Sequence, residues 1–212
     1  MKIISCKPQH GAYLELTLEN GQVYAVHREI ASRYELYERT EMDEVTLQRM
    51  LFDNDVRRAY QRALYLLDGQ GYSYQMLFCK LTRSYNEEVC YEVMNRLVQL
   101  GLIDDWKYAE GAARRAAEGK HYGPRRIRQI LRQKGIPGAV IDRTLLPYMD
   151  EAFQLTHLAY LLEKKYNRLL TDPADRQKVE KCKAALARMG YGYSVIQEAV
   201  RIYFDEQASK QA

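Results

Sequence analysis

Three leucines, Leu81, Leu131 and Leu186, recur about 50 residues apart along this chain, a period at which repeats mean stacked supersecondary units. Each ends an apolar stripe and is followed by a short exit to Tyr85, Ile136 or Tyr191. Gly135 and Gly190 fall at the same place in the second and third units, where a helix ends in a left-handed residue before an apolar one. Ile127 aligns with Cys182 and Ile130 with Ala185, while the first unit is one residue shorter at its exit. A chain built this way is mainly helical and solenoid-like.

Each unit reads as three helices. In the first, Val56, Ala59, Tyr60, Ala63, Leu64 and Leu67 share a stripe ended by Gly69 and Gly71. Ser73 is placed to cap a second helix carrying Leu77 and Leu81, and Asn86-Glu87-Glu88 opens a third through Val89, Val93, Leu97 and Leu100 to Gly101. In the second, Asp104 or Asp105 caps "WKYAEGAARRAAEG", Gly123-Pro124 opens a middle helix that Gly135 closes before Ile136, and "PGAVIDRTLL" follows. In the third, Ala152, Leu155, Ala159, Leu162 and Tyr166 suggest a buried seam, Val179, Cys182, Leu186 and Met189 share a face, and "YSVIQEAVRIYF" finishes the unit.

Before residue 54 the period differs. Leu14, Leu16 and Leu18 alternate with Glu15, Thr17 and Glu19, the two-residue period of a half-buried strand. Asn20-Gly21 then predicts a tight turn with positive φ at both centres, and Val23 to Val26 a return strand, with "KIISCK" available as a third. Residues 28–52 read as a short helix, a turn and a lead-in. The expected organisation is a small antiparallel sheet and lead-in over 1–52, then three-helix repeats over 53–104, 105–148 and 149–212.

The charge total, 32 basic against 28 acidic side chains, permits nucleic-acid contact without requiring it. Its distribution says more. Between Glu118 and Asp142 there is no acid, yet Lys120, Arg125, Arg126, Arg128, Arg132 and Lys134 all lie there. At about 100° per residue, Ile127, Ile130 and Leu131 form one stripe of the middle helix, with Arg125, Arg128 and Arg132 nearly opposite. Pro124 suits the first helical position, and Lys134 complements the negative end of the helix dipole. The equivalent helix of the first repeat has only Lys80 and Arg83, so the fold does not require arginine there. Guanidinium forks suit phosphate and carboxylate. The helix start would add a modest anion site, Gly123 would admit a partner backbone, and Arg114, Arg115 and Lys120 would extend the patch. A merely solvated face is the competing reading.

Motifs for chemistry do not emerge. His10, His27, His121 and His157 lack partners at metal-ligand spacing, and no P-loop, dinucleotide fingerprint or nucleophile elbow occurs. Asp104-Asp105 reads as a cap, Cys182 as a small buried hydrophobe and His121 as a loop residue. The expectation is a protein without catalytic residues, metal or cofactor. With Cys6, Cys79, Cys90 and Cys182 scattered and neither an export signal nor a membrane span evident, reduced thiols in a cytoplasm are expected.

The run "GLIDDWKYAE…HYGPRRIRQILRQKGI" resembles the RecX family of bacterial RecA regulators. That family's middle repeat is matched in register by Gly101, Asp104, Asp105, Gly123, Pro124, Arg126, Ile127, Leu131, Lys134, Gly135 and Ile136. The resemblance covers about residues 55 to 205, and the strand-rich N-terminus is similar to that of many Gram-positive-type members. It implies tandem three-helix repeats that bind the RecA–single-stranded DNA filament without catalysis. It also implies that they modulate its ATP hydrolysis, strand exchange and coprotease action in recombination and repair, most members by inhibition and some by promoting filament turnover. Direct contact with single-stranded DNA, an independent DNA-binding role and a generic interaction scaffold remain open alternatives.

Overall fold

Leu14, Leu16 and Leu18 turn inward from the middle strand of a three-stranded antiparallel sheet, and all three are fully buried. The computed structural model describes residues 1–211, which fall into two units, Met1–Tyr72 with Met76–Ile103, and Ser73–Gln75 with Asp104–Ala212. In the first unit the strands are β1 (Ile3–Pro8), β2 (Tyr13–Leu18) and β3 (Val23–His27), in spatial order β1-β2-β3. The β2–β3 turn is not the two-residue type that Asn20-Gly21 suggested. Gly21 alone has positive φ, and its N–H donates to the Leu18 carbonyl at 3.0 Å. That is a three-residue loop, a simple turn followed by one left-handed glycine.

His27 ends β3 and caps α1 (Arg28–Arg33), its Nδ1 accepting from the Glu29 amide at 3.2 Å. The following helix, α2 (Glu44–Gly69), is capped by Asp43 and starts well before residue 54. Its opening turns are the segment read as a lead-in; Leu47 and Met50 there join the core under the sheet. Asn54 is 3 % exposed and spans the contact with β3. Its Oδ1 accepts from the His27 amide at 2.8 Å and its Nδ2 donates to the Ala25 carbonyl at 3.1 Å. An amide with both ends satisfied in this way fixes the helix against an edge strand. Further along α2, Ala59 and Ala63 are buried but Leu64 is exposed, so the stripe is narrower than its sequence suggested. α3 (Tyr74–Leu81) buries Leu77 and Leu81, and α4 (Glu87–Gln99), capped by Asn86, packs on α2 through Val89, Val93 and Leu97. Leu100 lies beyond that helix and is exposed.

The second unit holds α5 (Asp105–Ala117), α6 (Pro124–Gln133) and α7 (Gly138–Leu145), packed on one another around Ala109, Ala113, Ile127, Leu131 and Ile141. Alanine lines the inner face of α5, which lets α6 and α7 approach closely. A tight turn over Leu146–Met149 leads to α8 (Glu151–Leu161), which widens over Leu162–Tyr166 before α9 (Arg176–Arg188) and α10 (Tyr193–Gln211). The seam expected on α8 is displaced in part. Leu162 and Tyr166 are buried as expected and Leu155 is half-buried, but Ala152 and Ala159 are exposed, and Gln154, Leu158 and Leu161 are buried in their stead. Its neighbours explain this: Phe153 packs on the core of α5–α7 and Leu155 on that of α8–α10, so one helix serves two cores. The face of α9 is as expected, with Val179, Cys182 and Leu186 buried. Burial pushes the Cys182 thiol up to about 11.

The C-terminal ends of α6 and α9 are built from backbone. At α6 the Ile136 amide donates to the Leu131 carbonyl and the Gly135 amide to that of Arg132, with Gly135 at φ 72°. Tyr191, Leu186, Gly190 and Ala187 repeat the pattern at α9, the left-handed cap expected at both glycines. The α9 end then receives the α6 start. Gly123 N–H donates to Met189 O at 2.8 Å and Arg125 N–H to Gly190 O at 3.1 Å. A Cβ on Gly123 would lie 2.5 Å from the Gly190 carbonyl carbon.

His121, in a left-handed conformation, and His157 meet through their Nδ1 atoms at 2.8 Å beside Tyr160 and Phe153. Burial, and secondarily the neighbouring His121, hold His157 below the usual imidazole range, against a smaller opposite pull from Glu118.

Gly123→Ala should therefore cost about 1–3 kcal/mol by urea unfolding. Gly138→Ala, with nothing within 4 Å of its added Cβ, should be neutral or stabilising by up to about 1 kcal/mol. A lowered folded pKa at His157 means the unfolded chain binds that proton more tightly. Stability should be unaffected above the ordinary histidine range and should fall as pH drops through about 6.5. Denaturant midpoints between pH 8 and 5 check this; His157→Gln should flatten the slope, leaving the part owed to His27, which burial also lowers.

Candidate anionic-partner interface

The α6 helix presents what the sequence placed on it, with one subtraction. Ile127 and Leu131 are fully buried, Ile130 is half-buried, and Arg125, Arg126 and Arg132 are exposed. Arg125 and Arg132 form no ion pair among the described residues. Arg128 differs, because its Nη1 is ion-paired with Asp142 of α7 and its side chain is only 31 % exposed. The acid-free window ends at the very residue that neutralises its central arginine. The free row is thus Arg125 and Arg132, with Arg126 beside them.

Arg126 is steered locally. Its Nη1 donates to Gln129 Oε1 at 2.7 Å, and its guanidinium carbon stands 5.9 Å from the centre of the Tyr122 ring. Lys120 Nζ lies 5.9 Å from the same ring, so one tyrosine gathers two cations just before the helix. That role of Tyr122 was not read from the sequence, although the order Lys-x-Tyr-x-x-x-Arg was its visible trace. Lys134 is half-buried, and its carbonyl accepts the Ser73 hydroxyl. Arg115 is exposed on α5. Arg114, also exposed, lines a cleft between α5 and α7 with Trp106 and Arg143.

Two expectations for the α6 start are corrected. Gly123 admits a close backbone, but that backbone is Gly190 of the same chain. The Arg125 amide, a group that would serve an anion at a free helix start, is already bound to the Gly190 carbonyl. The positive character of this face is carried by side chains. Asp104 caps α5, its Oδ1 accepting from the Trp106 and Lys107 amides at 2.9 and 3.0 Å. Asp105 accepts from the Tyr74 amide at 2.7 Å. Burial, and less so the adjacent Asp104, push its carboxyl upward against that hydrogen bond. Both acids are structural. Among the described residues no group of three His, Cys, Asp or Glu is arranged to hold a metal ion, and no helix is long and apolar enough to cross a membrane.

This geometry defines a helical-repeat protein with a cationic face on an anchored helix. Residues 104–145 match the family model described as RecX, second three-helix domain, and residues 153–200 match RecX, third three-helix domain. The regulatory protein RecX of Chlorobium phaeobacteroides is 33 % identical over 149 residues, covering 70 % of this chain and 95 % of that one. That of Bacillus mycoides is 28 % identical over 206 residues, covering 97 % and 76 %. A crystal structure of regulatory protein RecX superposes with a TM-score of 0.73 at 27 % identity, covering 92 % of this chain and 97 % of that one. RecX from Lactobacillus salivarius gives 0.65 at 29 % identity, covering 71 % and 97 %. The chain belongs to the RecX family of regulatory proteins.

Because the Asp142 side chain is 65 % exposed, Asp142→Asn should change unfolding free energy by less than about 1 kcal/mol. It should also release Arg128 to the exposed face. Elution from a phosphate-type cation exchanger should shift to higher salt by more than for Asp68→Asn, which removes an exposed acid from α2; equal shifts would refute the local effect.

Proposed function

We propose that this protein binds the RecA–single-stranded DNA filament and inhibits its ATP hydrolysis, strand exchange and coprotease action. It acts by occupying a surface, without chemistry or cofactor of its own, in the cytoplasm. Membership of the RecX family supports the partner. The observation that carries the contact is the pair of exposed, uncompensated arginines Arg125 and Arg132 on α6. A filament of protein and DNA presents phosphates and acidic side chains together, and guanidinium groups pair with either.

The buried Ile127 and Leu131 hold α6 so that its arginines project from a fixed base. A helix held in this way loses little freedom on binding, which favours affinity. Bridging neighbouring RecA protomers through these cations would resist the motions that accompany ATP hydrolysis, or block growth at a filament end.

RecA ATPase on single-stranded DNA, with RecA from the same organism, tests this reading. Wild-type protein should lower the rate in a dose-dependent manner. Arg125→Glu/Arg132→Glu should weaken the effect at least 10-fold in concentration, roughly the 1.4 kcal/mol per decade of affinity. Arg128 is left intact because reversing it would also break its pair with Asp142. A double mutant as potent as wild type would move the contact elsewhere. No effect from wild-type protein well above the RecA concentration would remove the filament reading.

A further inference from the structure

The cleft that contains Arg114 lies away from the buried stripe of α6 and has a composition of its own. It holds about 560 Å³ between α5 and the α7 end, within the range of small-molecule sites, about 300–1,000 Å³. Two aromatic side chains line it, Trp106 and Tyr148, both half-buried. Three cations line it as well, Lys107, Arg114 and Arg143, against the single acid Glu110. Lys107 is loosely paired with Asp104 at 3.8 Å. Arg114 and Arg143 form no ion pair among the described residues.

Two details point to a ligand with both a flat ring and negative charge. The Arg143 guanidinium carbon stands 4.8 Å from the centre of the Trp106 ring, so the electron-rich indole face that borders the cleft already holds one flat, delocalised group, which a stacking base would replace. Thr144, 5 % exposed, is part of the wall, and its hydroxyl has no hydrogen-bond partner among the described residues. Buried hydroxyls are ordinarily paired, so this one is an unmet polar group in the wall behind the cleft.

We infer that this cleft takes one nucleotide unit of single-stranded DNA, its base stacked on Trp106 and its phosphates held by Arg114 and Arg143. Stacking platforms beside cations are the usual means of holding single strands without sequence preference. An acidic peptide would use the cations but would leave the indole and phenol walls without a matching surface. Entry of a base requires Arg143 to leave the indole face, and the phosphate gives its guanidinium a new partner. The inference does not depend on filament binding and is tested without RecA.

Trp106 is the only tryptophan of the chain, so indole fluorescence of the full-length protein reports on this cleft alone. Titration with a short oligothymidylate should quench it saturably. An abasic strand of equal length should bind more weakly and leave the emission nearly unchanged. Free thymidine monophosphate should bind at least 10-fold more weakly than the oligomer. By anisotropy of a labelled oligothymidylate, Arg114→Ala/Arg143→Ala and Trp106→Ala should each weaken binding about 10-fold, within the range for loss of one stacked base. Trp106→Phe, which keeps a ring and guards against misfolding, should retain most of it. Strand binding without quenching, or equal quenching by the abasic strand, would overturn the inference. Equal affinity for the free nucleotide would overturn its assignment to a DNA strand.

Discussion

The carbonyls of Met189 and Gly190 at the end of α9 accept the amides of Gly123 and Arg125 at the start of α6. On this backbone joint depends the orientation of the basic helix. It supplies α6 with the acceptor that a side-chain cap would otherwise give, since Gly123 has none to offer. It also requires that neither glycine carry a Cβ, because one on Gly123 would press into the Gly190 backbone and one on Gly190 into Arg126. A buried amide left unmatched costs about 1–3 kcal/mol, so the two bonds together hold the helix entry firmly. Tyr191, whose phenol donates to the His121 carbonyl and is pushed upward by burial, secures the loop that enters the joint.

Local signals in the sequence were legible where one segment decides the outcome. The alternation of Leu14, Leu16 and Leu18 gave the middle strand, because a period of two admits one inner face. Gly135 and Gly190 gave helix ends, because the left-handed cap needs only the residues around it. The start of α2 was missed because only Leu47 and Met50 mark a buried stripe in its first turns, among charged and polar residues such as Glu44 and Arg49. Its anchor, Asn54, acts on Ala25 and His27, nearly thirty residues away. Ala152 and Ala159 were wrongly assigned to the seam of α8 because a helix between two cores is apolar over more than one stripe, and a single angular pattern cannot say which neighbour takes which side.

The candidate site divides in the same way. Angles along α6 separated the docking stripe from the arginines correctly, since both follow from helical geometry. Pairing between helices has no such local rule. Asp142 and Arg143 are adjacent in sequence, yet the first meets Arg128 of α6 and the second covers Trp106 of α5. Successive positions on α7 point to different neighbours, and only the packed unit shows that one neutralises a cation while the other adds one to a cleft.

The α6–α9 joint has a further consequence for how such a molecule changes over time. Its bonds are made by main-chain atoms, so the identity of outward side chains leaves them untouched. Arg125 contributes its amide to the joint, and its guanidinium lies outside it. The frame and the surface it displays are therefore separable: substitutions on the outer face can change the charge that the helix displays while the glycines hold its position. In a repeat array, that separation lets the outer face of one unit change its charge while its neighbour keeps its own.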